Sequence, residues 1–113
     1  MVDTLPVSDL PAVPVTALPD DAVLLDVRED DEWEAGHVPG ALHVPLAQVP
    51  SRLDELPEGE LHVVCRSGVR SAQAVAWLVS NGYDAVNVSG GMHAWQDAGR
   101  PLVAESGDTP TVR

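Results

Sequence analysis

Apolar residues in this chain fall into short runs separated by charged or glycine-rich stretches, and the runs alternate between two patterns. Ala22 to Val27 and Leu61 to Val64 are nearly continuous and rich in branched side chains, as strands buried on both faces read. Ala41 to Val44 and Ala85 to Val88 have the same character, and Ala12 to Thr16 is a first strand whose Pro14 assigns it to a sheet edge. Between them lie helical patterns. Glu29 to Ala35 opens with carboxylates that suit a helix N-terminus and stops at Gly36, and Leu46 to Leu56 carries Leu46, Val49 and Leu53 at helical spacing. Ala72, Val75, Ala76 and Val79 stand at i, i+3, i+4 and i+7, the stripe of a core-packed helix that Asn81-Gly82 ends. After a turn at Gly90-Gly91, Met92 to Ala98 forms a last helix closed by Gly99 and Pro101. Strands alternating with helices over short connections predict an α/β domain with a mainly parallel sheet and helices on both faces. Residues 1 to 11 read as a loose arm and 103 to 113 as a flexible tail.

At 113 residues and 44% apolar content the chain suffices for one domain with a modest core. Six Arg and no Lys face eighteen Asp plus Glu, for a net charge of −12, which argues against nucleic acid and anionic membranes as partners. Its single cysteine forms no internal disulfide, and four scattered histidines offer no metal-ligand spacing. No metal or other cofactor is expected. Asp3 and Asp9, with prolines at 6, 11, 14 and 19, are unlike a signal peptide, and the longest later apolar run, residues 74 to 79, falls short of the ~18 that span a membrane. A cytoplasmic, reducing setting is the expectation.

That lone cysteine, Cys65, sits where a strand ends and a helix begins, in the run Cys65-Arg66-Ser67-Gly68-Val69-Arg70-Ser71. Ligands of parallel sheets collect at the carboxyl ends of strands, where the next helix aims its free N–H groups. The helix end, Arg66 and Arg70 all favour the thiolate over the thiol. Gly68 lets the loop curl and turn its amides inward as an anion-binding nest. A buried, inert cysteine is the competing reading, and these polar neighbours argue against it.

Around this loop the chain resembles the single-domain rhodaneses, sulfurtransferases that work through a cysteine persulfide. Asp26-Val27-Arg28-Glu29 with Glu32-Trp33, then Gly36-His37-Val38-Pro39-Gly40-Ala41, is similar to that family's first signature. Cys65 to Ser71 is similar to its active-site loop, and Gly90-Gly91, Ala94-Trp95 and Gly99-Arg100-Pro101 to its closing signature. The resemblance covers residues 12 to 102 and implies a five-stranded, mainly parallel sheet with its first strand at an edge. It further implies that Cys65 takes sulfur from thiosulfate or a similar small anion, within the amides of Arg66, Ser67, Gly68, Val69, Arg70 and Ser71. Arg66 and Arg70 would hold the donor's anionic end, and Arg directly after the cysteine is the pattern of thiosulfate users. With no second thiol in the chain, the sulfur must pass to an external acceptor: cyanide, a small thiol or a partner protein.

Two rivals stand beside this reading. A cysteine phosphatase uses Cys-x5-Arg, whereas here the sixth position after Cys65 is Ser71 and the arginine comes one residue early. A binding or regulatory module of the same fold would keep the architecture without turnover. Supporting roles fall to Asp26, as a hydrogen-bond partner of the loop or a cap at the strand exit, and to Arg28, as an ion-pair partner of Glu32 or Glu34. His37 is read as a packing or hydrogen-bonding residue, and His43, His62 and His93 as structural. Trp33 and Trp95 are expected as core anchors, with Trp77 off the helical stripe and partly exposed.

Overall fold

The computed structural model describes residues 10–113. Five strands form one all-parallel sheet: β1 (Ala12–Pro14), β2 (Val23–Asp26), β3 (Leu42–His43), β4 (Leu61–Val64) and β5 (Ala85–Ser89), in the order β1-β5-β4-β2-β3. Central β4 is buried at every residue, as its unbroken apolar run requires, and β1 lies at an edge as Pro14 predicts. The helices are α1 (Asp30–Ala35), α2 (Val69–Ser80) and α3 (Gly91–Asp97).

Side-chain alternation divides the core in two. Leu25, Leu61, Val63 and Cys65 share one apolar cluster with Ala72, Ala74, Val75 and Leu78 of α2. Leu24, Val64 and Val88 share the other with Met92 and Trp95 of α3. The sheet therefore lies between α2 and α3, with the carboxyl end of β4 feeding the loop between them.

Several local expectations change. Residues 46 to 56 form two 3-10 segments, Leu46–Ser51 and Leu53–Glu55, instead of one helix. Pro50 has no N–H to give the Leu46 carbonyl, and bonds three residues apart replace the α ladder, as in Gln48 N–H to Pro45 O and Arg52 N–H to Val49 O. The apolar positions still face the core, with Val49 buried and Leu46, Leu53 and Leu56 packed against it. The first strand stops at Pro14, and Val15–Ala17 turns as a 3-10 segment. On α2 the buried face runs through Ser71, Ala72, Ala74, Val75 and Leu78, so Ala72 and Val75 of the expected stripe belong to it while Ala76 and Val79 lie on its flank. The apolar stripe alone missed part of the face, because buried Ser71 belongs to it and turns its centre toward Ala74 and Leu78.

The segment expected as a flexible tail lies against the end of α1. His37 and Val103 exchange backbone hydrogen bonds, and the Glu105 and Thr111 amides donate to Glu34 O and Ala35 O. His37 Nε2 meets Glu105 Oε1 at 2.7 Å, and Trp33 stacks on His37 and His43 with ring centroids 3.6 and 4.6 Å away. Trp33 is thus a half-buried stacking platform and not a core anchor. Trp95 is the anchor the pattern predicts, buried and donating its indole N–H to Pro101 O, and Trp77 is half-buried. The expected arm, residues 1 to 11, falls mostly outside the described residues.

Candidate active site

Cys65 directly follows β4 and is 1% exposed. Its loop is held from outside by α3, where the Met92 and His93 amides donate to the carbonyls of Cys65 and Arg66 at 2.8 and 3.1 Å. A trans peptide points its N–H opposite its C=O, so the same bonds turn the Arg66 and Ser67 amides away from α3 and into the loop. Close approach makes this possible. A Cβ on Gly91 would fall 2.3 Å from Cys65 O, which only glycine avoids. Gly68, with φ of 112°, makes the left-handed turn that begins α2 and brings its own N–H to 3.1 Å from Cys65 Sγ.

Ser71 contributes from the first turn of α2, with Oγ 3.3 Å from Sγ. Burial pushes the Cys65 thiol up, but the Ser71 hydroxyl and the amides of Ser71, Gly68 and Ser67 outweigh it and hold the thiol below its ordinary range. The twelve-residue α2 points its positive end the same way. Sγ is therefore a hydrogen-bonded sulfur favouring the thiolate, the form that attacks electrophilic sulfur.

Asn87 on β5 is the site residue that sequence reasoning missed. Its Nδ2 donates to Gly68 O at 3.2 Å, which turns its Oδ1 toward Ser71 Oγ at 2.6 Å, where it competes with Cys65 Sγ for the one hydroxyl proton. It pins both ends of the turn whose donors face Sγ. An amide side chain within an otherwise apolar strand was the available signal.

The charged residues divide. Arg66 is exposed and donates through Nε to His93 Nε2 at 3.1 Å. Arg70 is engaged by Glu32 of α1 through two parallel bonds of 2.6 and 2.9 Å. The Arg70 hydrogen bonds chiefly hold the Glu32 carboxyl down at about 2. Arg70, expected to hold the donor's anionic end, is thus matched to a carboxylate of this chain, a bidentate pair being the preferred partner of a guanidinium. Val69 lies at the rim, 68% exposed, and Ser67 is also exposed.

Asp26 and Arg28 pair with each other. Both are fully buried, and the Asp26 carboxylate accepts from Arg28 Nε, Nη2 and backbone N–H at 2.8 to 3.1 Å. Arg28 Nη2 also reaches Gly36 O at 2.8 Å, and His43 Nε2 donates to Arg28 O. Arg28 therefore meets neither Glu32 nor Glu34 in an ion pair. Among the described residues only Asp26 pairs with it, and Asp26 caps the strand exit without bonding the loop. The pair ties β2 to the end of α1, the helix that carries Glu32.

A parallel five-stranded sheet with a thiolate-stabilising loop after its central strand defines a class, the rhodanese-like domains. The family model for the rhodanese-like domain matches residues 15–98, and the chain belongs to that family. It is similar to a sulfurtransferase of Allochromatium vinosum, 41% identical over 90 residues that cover 78% of this chain and 84% of that one. A putative sulfurtransferase of Bacillus subtilis, YtwF, is 39% identical over 69% of this chain and 77% of its own. Among solved structures, a rhodanese-related protein from Thermoplasma volcanium superposes with a TM-score of 0.77 at 29% identity, covering 82% of this chain and 97% of that one. These relatives support sulfur transfer in general. No helix among the described residues is long and apolar enough to cross a membrane.

Proposed function

We propose that this chain is a sulfurtransferase that moves sulfane sulfur from thiosulfate or a similar donor to a thiophilic acceptor through a persulfide on Cys65. The observation that carries the reading is the convergence of the Gly68 amide and Ser71 hydroxyl on Cys65 Sγ, with the thiol held below its ordinary range. Cys65 thiolate attacks the outer sulfur of thiosulfate, the donor's S–S bond breaks, and sulfite leaves with the electron pair. The inward amides of the loop then stabilise the charged persulfide without reorganising, as donors of an oxyanion hole do. Arg66 meets the donor's anionic end from the rim. An acceptor thiolate or cyanide attacks the outer sulfur next, and Cys65 thiolate departs.

A lone cysteine suits a reducing, cytoplasmic setting. Thiocyanate formation from thiosulfate and cyanide tests the function: turnover that vanishes in Cys65→Ser supports it. A Cys65→Ser variant as active as the wild type overturns it, and absence of turnover with every sulfane donor and acceptor favours a regulatory module.

A further inference from the structure

Five of the six arginines are matched by a carboxylate: Arg28 by Asp26, Arg52 by Glu55, Arg70 by Glu32, Arg100 by Asp20 and Arg113 by Asp31. Among the described residues, Arg66 alone has no carboxylate partner. Two of the six belong to the Cys65 loop, so the difference between Arg66 and Arg70 sets the charge that a donor meets there.

The Arg70 pair is closed and fixed. Glu32 takes two guanidinium bonds at 2.6 and 2.9 Å, and its Oε1 also accepts the Glu29 amide at 3.0 Å in the capping box of α1. Holding Glu32 at the helix start means that it cannot swing away when an anion arrives without breaking both sets of bonds. At any working pH the pair carries one positive and one negative charge, and it attracts a dianion little more than a neutral molecule. The rim also offers the apolar surface of Val69, 68% exposed.

We propose that Glu32 is a specificity-determining residue of the sulfur-loading step: by neutralising Arg70 it leaves Arg66 as the one uncompensated guanidinium of the loop among the described residues, and it shifts selection from dianionic thiosulfate toward persulfides of small uncharged thiols. This rests on the sulfurtransferase reading above. The loading step balances without an added oxidant or reductant. Cys65 thiolate attacks the outer sulfur of R–S–SH, that S–S bond breaks, and R–S⁻ leaves with the electron pair while Cys65 holds S–SH.

Single-turnover loading of Cys65, followed by intact mass, tests the proposal with thiosulfate and with the persulfide of 2-mercaptoethanol as donors. Glu32→Gln removes the charge while keeping a side chain that a capping box accepts. The thiosulfate-to-persulfide rate ratio should rise about tenfold, the Coulomb gain of a dianion roughly 6 Å from an uncompensated guanidinium in a water-like dielectric. The thiosulfate rate should also become more salt-dependent. An unchanged or lower ratio overturns the proposal. Should Glu32→Gln fail to fold, Arg70→Gln leaves Glu32 unpaired and must lower the ratio about tenfold by the same estimate; an unaltered ratio there overturns it equally. If neither donor loads the wild type, the sulfurtransferase reading fails and takes this inference with it. Loading by both donors with an unresponsive ratio removes only the role of Glu32.

Discussion

Replacing Gly91 with alanine probes how α3 shapes the Cys65 loop. The new Cβ would lie 2.3 Å from Cys65 O and 2.7 Å from Arg66 O, both backbone atoms that no side-chain rotation can clear. The loop must move, weakening the bonds from Met92 and His93 amides to those two carbonyls, each worth about 1 kcal/mol. Gly91 also has a φ of +57°, where a Cβ costs about 1–2 kcal/mol. Together these predict a loss of about 3 kcal/mol, or roughly 12 °C in melting temperature for a domain of this size. Gly40 supplies the control. Its φ is +81° but nothing lies within 4 Å of its Cβ position, so Gly40→Ala carries only the backbone strain of about 1–2 kcal/mol. The unfolded-state effect of adding a methyl group is common to both and cancels. Urea unfolding followed by tryptophan fluorescence, with Cys65 alkylation rates in parallel, reads the difference. Equal losses at Gly91 and Gly40, with unaltered alkylation, would refute the idea that α3 holds the loop in shape.

Three further outcomes are expected. Ser71→Ala removes a hydroxyl whose one proton Cys65 Sγ shares with Asn87 Oδ1, a bond worth about 1.5 kcal/mol when given wholly to the sulfur, so the pH midpoint of iodoacetamide alkylation should rise by up to about one unit; a midpoint that stays or falls speaks against the hydroxyl's role. Asp26→Ala strands the guanidinium of fully buried Arg28 and should cost about 3–5 kcal/mol in urea unfolding, the penalty for an uncompensated interior charge, while a loss below about 1 kcal/mol would place the pair among surface-like ones. Glu32 is held at about 2 against an ordinary 4.5, a depressed carboxylate, so its contribution to stability is complete above pH 4.5 and fades as pH falls toward 2. Glu32→Gln should therefore flatten the acid limb of the stability curve, and an identical limb would show that the pair does not couple to folding.

Much of the architecture was legible because buried parallel strands leave unbroken apolar runs: β4 and its cysteine are unmistakable between Glu60 and Arg66. The helix at residues 46 to 56 was misread because 3-10 and α segments can bury the same spacing, and only the missing N–H of Pro50 separates them. For the site, the strand-to-helix junction, Gly68 and the loop residues were readable from local chain order. The pairing of charges was not. Which carboxylate reaches Arg70, thirty-eight positions from Glu32 in the chain, depends on how α1 lies beside α2, and Arg28 found Asp26 through a shared turn instead of a helical neighbour. Asn87 lay hidden for a related reason, since its contacts with Gly68 and Ser71 exist only after β5 and β4 pair.

The most direct test weighs the intact protein after exposure to a sulfane donor, thiosulfate or a small persulfide, and again after cyanide. A persulfide carrier gains the mass of one sulfur atom, confined to the peptide containing Cys65, loses it to cyanide as thiocyanate, and gains nothing as Cys65→Ser. A mass unmoved by either donor while Cys65 still alkylates readily would contradict sulfur transfer by this site.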